Sequence, residues 1–170
     1  MINLDTYSPN YAIIFIILLV GTFNLPPELL ARNAGPYASG HGNLPVEGNK
    51  LRTFTFNARI LKNGRTTGNL VVKNRDLGIR VKAKINCLRI VGNQATMSGF
   101  IIQVSGDPEL IGENLWFRVE DNGEGQRNIS DRITLVIAEL DEPGDPEDCN
   151  DDFDELELMN IKSGNIQVQH

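Results

Sequence analysis

Carboxylates are the residues of this sequence best equipped to do chemistry, and they gather in two places. Glu120, Asp121, Glu124 and Asp131 surround one short stretch. A pair of acids there can flank a glycosidic bond as acid and nucleophile. The same residues also read as turn formers and solvated glutamates, because Asp121 precedes Asn122-Gly123, a dipeptide that readily accepts positive φ. Further on, Asp148, Asn150, Asp152 and Asp154 alternate as oxygen ligands do in the first half of a calcium loop. The sixth position of such a loop is Phe153 where glycine is needed, and the twelfth is Met159 where a bidentate glutamate belongs. That excludes an EF-hand and leaves a looser calcium site or a solvated acidic loop.

Other chemistry is thinly supplied. His41 sits between glycines and His170 is the last residue, so neither suits a nucleophile–base pair or a metal set. The chain has no phosphate loop, dinucleotide fingerprint or paired-cysteine zinc spacing. No catalytic residue and no cofactor other than calcium is therefore expected. Arg80, Lys82 and Lys84 form a basic stripe at strand spacing, extended by Lys73 or Arg89. It suits a polyanionic glycan, a solvated face or an intramolecular acidic partner; without interleaved aromatics it does not suit specific nucleic-acid recognition. Trp116, the single tryptophan, is either an exposed anchor for an extracellular protein or a cover for one end of the core. Asn128-Ile129-Ser130 matches a glycosylation acceptor. Cys87 and Cys149 either pair as a disulfide, expected in an exported chain, or remain one buried and one exposed thiol.

The elements that must position these groups are strands. Thr53 to Ile60 alternates with Phe54, Phe56, Ala58 and Ile60 on one face, and Asn63-Gly64 follows as a hairpin signal. Leu70-Val71-Val72 centres a short strand. Ile79, Val81, Ala83 and Ile85 share a face, then Leu88 and Ile90 take over the apolar phase, a one-residue shift that marks a bulge near Cys87. Ala95 to Val104 follows the Gly92-Asn93 turn. Trp116–Glu120 and Arg132–Ile137 read as a tight hairpin about Asn122-Gly123, with Phe117 and Val119 inward on one side and Ile133, Leu135 and Ile137 inward on the other. Asn165 to Gln169 closes the chain. Helical turns are expected only at Pro108–Gly112 and Leu156–Ile161. Seven or eight short strands of this kind predict an all-β antiparallel domain, a single barrel with a β-sandwich as the alternative. In the barrel, the strand at Asn165 closes on one near Gly40 to Pro45.

Charge and hydropathy divide the 170 residues further. Residues 1–44 carry net −1, residues 45–137 net +5 and residues 138–170 net −10, so a mildly basic body bears an acidic loop at 139–157. Ala12 to Val20 is an unbroken apolar run, too short for a usual membrane span and suited to an export signal. An uncleaved anchor and a buried element are its alternatives. Pro26, Pro27, Gly35 and Pro36 mark a linker behind it. Residues 1–37 are thus expected to be leader or anchor plus linker, and residues 38–170 the β domain.

Gly40-His41-Gly42, Thr53-Phe54-Thr55-Phe56-Asn57, Gly92-Asn93 with Ala95-Thr96 and Gly99, Val119-Glu120-Asp121-Asn122-Gly123-Glu124 and the closing Gly164-Asn165-Ile166-Gln167-Val168 occur in that order. Together they resemble the post-COAP type of bacterial secreted domain over roughly residues 38–170. The resemblance implies an exported all-β module without known catalysis; the acidic insertion departs from its simplest members. The expected function is a non-enzymatic β module, structural or binding, secreted or at the cell surface. A barrel carrying a small apolar ligand and a carbohydrate-active enzyme are the alternatives.

Overall fold

The computed structural model describes residues 35–46, 50–106, 108–123, 129–134, 136–139, 149 and 157–170. Among them every regular element is a strand, apart from one 3₁₀ turn at Pro108–Leu110. The strands are β1 (Tyr37–Val46), β2 (Lys50–Ile60), β3 (Thr66–Asn74), β4 (Ile79–Val91) and β5 (Gln94–Ser105). They continue as β6 (Asn114–Glu120), β7 (Arg132–Ile133), β8 (Ile137–Glu139), β9 (Met159–Asn160) and β10 (Ser163–Gln169). All belong to one antiparallel sheet in the order β10-β1-β2-β3-β4-β5-β6-β7-β9, and β8 also pairs with β6. A sandwich needs two sheets, and this is one. The terminal strand does return to the first, with Gly40 opposite Ile166 and His41 opposite Asn165.

The sheet is strongly curled yet open, a half-barrel. Its curl can be judged from Phe56 on β2 and Phe117 on β6. Four strand spacings span about 19 Å along a flat sheet, yet the two rings meet edge to face with centroids 5.5 Å apart. Bulges between Lys82 and Ala83 and between Ile85 and Cys87 bend the longest strand, as the shift of apolar phase near Cys87 anticipates. Gly99 lies opposite Ile85 in this region, where a Cβ would run into the Lys84 carbonyl. The alternating apolar residues of β2 to β6 line the concave side, with Phe54, Phe56, Leu70, Ile85, Met97 and Phe117 buried in one cluster.

Three local expectations change. The β6–β7 connection is not a tight two-residue turn: Glu120 pairs with Arg132, so eleven residues of sequence separate the paired ends. Gly123 still has positive φ, +80°. Ile133 pairs with Val119 and Ile137 with Trp116, which leaves one extra residue on the 133–137 side and reverses the phase between β7 and β8. Ile133 is buried in the core, while Leu135 and the side chain of Ile137 lie outside the described residues. Met159 and Asn160 form β9 against β7 rather than a helical turn.

Candidate functional site

The concave side leaves a cavity of about 240 Å³ at one end of the half-barrel. Leu44, Phe54, Val72, Val81, Ile101 and Ile133 contribute apolar walls from five strands and β7, and Leu77 and Leu110 stand at its margin. Three polar side chains interrupt the lining: Arg52, Asn74 and Thr134. Arg52 lies in the inward phase of β2, two residues before Phe54, and pairs in register with Leu44 on one side and Asn74 on the other. Asn74 Oδ1 accepts hydrogen bonds from Asp76 N–H and Leu77 N–H, which directs its amide oxygen to the turn. Thr134 Oγ1 accepts from Arg118 N–H at 3.0 Å. An apolar cavity with a few convergent polar groups is the usual form of a small-ligand site.

The first acidic group takes a structural arrangement. Glu120, 6% exposed, is held by Arg132, whose Nε donates to Oε1 at 3.1 Å and whose Nη2 donates to Oε2 at 2.6 Å. Gln94 Nε2 donates to Oε2 at 2.8 Å, so Gln94, Glu120 and Arg132 form one row across β5, β6 and β7. Burial pushes the Glu120 carboxyl up, but the hydrogen bonds from Arg132, Gln94 and Asn122 and the Arg132 charge outweigh it and hold the pKa below the usual 4.5. A lowered folded pKa stabilises above the unfolded value, and that contribution is lost as pH falls through the folded one. Glu120→Gln is expected to lose about 1 to 2 kcal/mol near pH 7, allowing for the half-exposed guanidinium. Urea midpoints measured down to about pH 3 should show the gap between variant and wild type closing. A gap independent of pH would refute the ionic role.

Asp121 and Asp131 serve the open edge of the sheet. Asp131 Oδ1 accepts from Asn122 N–H at 2.9 Å, and its Oδ2 accepts from Ile166 N–H at 2.7 Å. Asp121 Oδ1 accepts from Gly123 N–H at 2.9 Å, and its Oδ2 accepts from Val168 N–H at 3.0 Å. Ile166 and Val168 belong to β10, so two carboxylates satisfy backbone donors on the edge that a further strand would otherwise occupy. Glu124 lies outside the described residues.

The remaining candidates scatter. His41 is exposed on β1, and His170 Nε2 is 3.0 Å from the Gly92 carbonyl oxygen. Arg80, Lys82 and Lys84 lie along β4, with Lys73 beside Arg80 in register; Lys84 Nζ donates to Asn69 Oδ1 at 2.9 Å. Cys87 and Cys149 form a disulfide with Cα atoms 5.7 Å apart. Trp116 is 3% exposed and lies outside the main core cluster, so the exposed-anchor expectation does not hold. The calcium candidates Asp148, Asn150, Asp152 and Asp154, together with Asn128 of the glycosylation pattern and the apolar run 12–20, lie outside the described residues. Among the described residues no group of acids, histidines or cysteines could hold a metal ion, and no helix is long and apolar enough to cross a membrane.

Arg52 and Asn74 are not among the residues that the sequence singles out as candidates. A signal for Arg52 was present: a charged residue in phase with Phe54, Phe56 and Ala58 stands on the apolar side of its strand. Comparison with known proteins yields no matching family model, no matching curated protein and no matching solved structure.

Proposed function

We propose that this chain is an exported, non-enzymatic β module of the post-COAP secreted type that binds a small apolar ligand at the end of its half-barrel. The observation that carries the reading is the 240 Å³ cavity, walled by inward residues that a fully packed small barrel would bring together. The disulfide supports export, since such bonds persist in oxidising compartments. The carbohydrate-active alternative loses its best acids, because Asp121 and Asp131 accept backbone hydrogen bonds and Glu120 is held by Arg132. A second reading, attachment to a polyanionic glycan, is favoured by the row of Lys73, Arg80, Lys82 and Lys84.

Titration of the full chain with the neutral dye N-phenyl-1-naphthylamine tests the cavity. One saturable site per chain is expected. Val72→Phe places a ring in the cavity and should abolish the fluorescence rise, while Leu77→Asp, in an exposed turn that tolerates substitution, should weaken it. Absence of a saturable site, or dye binding indifferent to both variants, overturns the reading. Glycan attachment, by contrast, would survive Val72→Phe.

A further inference from the structure

Resting on that reading, we propose that the cavity's ligand is an alkyl or arylalkyl monocarboxylate: the hydrocarbon fills the apolar walls and the carboxylate meets Arg52 at the margin. Size argues for the first half. An apolar protein cavity of about 150 Å³ admits benzene. At 240 Å³ this one is larger by more than half, room for a chain of about eight to ten carbons. That is smaller than the usual pocket for drug-sized molecules and suits a compact amphiphile.

Charge argues for the second half. Arg52 is the one charged side chain among the described residues lining the cavity. It makes no ion pair among the described residues, in contrast to Arg132, which is bridged to Glu120. A guanidinium in the inward phase, half-buried beside Leu44, is a costly choice for a wall that needs only apolar contact. Its planar fork matches a carboxylate in two parallel hydrogen bonds, which gives the site a chemical preference and a direction. Asn74 adds to the same margin. Its oxygen already accepts from Asp76 and Leu77 N–H, and its amide N–H₂ supplies two further donors and no additional acceptor. The lining therefore offers donors to an anion and no carboxylate to a cation.

Calorimetric titration of the full chain with octanoate, octanol and octylammonium separates these elements. Octanoate is expected to bind about tenfold tighter than octanol, and octylammonium more weakly than either. Arg52→Met keeps an apolar stem of similar reach and should bring octanoate down to the affinity of octanol while leaving octanol unchanged. Arg52→Lys should restore part of the preference. Equal binding of octanoate and octanol by wild type, or a preference that survives Arg52→Met, overturns the inference while leaving a neutral-ligand cavity intact. Failure of all three ligands together with the neutral dye removes the cavity reading itself. Octanoate binding that emerges only in Ile16→Asp would mean that the chain's own run 12–20 occupies the cavity, and that also overturns the assignment.

Discussion

Asp131→Ala is expected to destabilise the fold by about 3 to 5 kcal/mol, read as a lower urea midpoint at unchanged slope. The size of the effect follows from what one carboxylate does. Asp131 is 6% exposed and accepts from two backbone N–H groups, Asn122 on its own loop and Ile166 on β10. Those donors lie 44 residues apart in the chain but share one side chain. A hydrogen bond to a charged acceptor contributes about 1.5 to 3 kcal/mol, and a buried backbone donor left without a partner adds its own desolvation cost. Alanine removes both acceptors and leaves nothing in their place.

Asp131→Asn sharpens the test because it preserves the shape. The two donors meet different carboxylate oxygens, so in the same shape the amide oxygen faces one of them and the N–H₂ faces the other, and most of the loss should remain. Amide exchange should accelerate at Ile166 and Asn122, the two residues that lose an acceptor. Asp76→Ala, an exposed residue in the β3–β4 turn, should stay within about 0.5 kcal/mol of wild type. If Asp131→Ala matched that control, the carboxylate bridge would not hold the sheet edge.

The contrast between Asp131 and Phe54 shows what the sequence can display. Phe54, Phe56 and Ala58 announce their face by spacing alone, because period-two alternation is a local property of one strand. The shift of phase at Cys87 likewise appears in the sequence, and the β4 bulge is its physical form. Asp131 announces nothing. A turn-forming aspartate and one accepting from a strand 35 residues away are the same letter, and only the curl of the sheet brings Ile166 within reach. The Gln94–Glu120–Arg132 row is hidden for a similar reason, since it depends on cross-strand register. Closure was also illegible. Alternation specifies faces, but the extra residue between Ile133 and Ile137 cuts β7 to two residues, and the edge of β10 is met by side chains rather than by a further strand. Trp116 misled in the opposite sense, since its phase points away from the core while its exposure is only 3%.

Opening the Cys87–Cys149 bond is expected to remove about 4 kcal/mol of stability, the chain-entropy value for a loop of this length. The two cysteines are 62 positions apart, and the loop they close contains β5, β6, β7 and β8. The cross-link therefore restricts the part of the unfolded chain in which β5, β6, β7 and β8 must find one another. On the folded side, Cys87, Ser98 and Trp116 are neighbours in register across β4, β5 and β6. Ser98, Trp116 and Cys149 are all almost fully buried, so the bond ends on a covered patch outside the main core. Urea unfolding of wild type with and without reductant, alongside the double variant Cys87→Ser/Cys149→Ser, measures the loss. Because the cross-link acts chiefly on the unfolded ensemble, the slope should rise when it is cut, as a freed chain exposes more surface. Trp116 emission without denaturant should change little. This behaviour differs from that of Asp131→Ala, which removes native hydrogen bonds and leaves the slope alone. The two sites share no hydrogen-bond partner, so their losses should add within about 0.5 kcal/mol in the combined variant. A loss under about 1 kcal/mol on reduction, or a slope that fell, would show that the bond decorates the fold without constraining the chain.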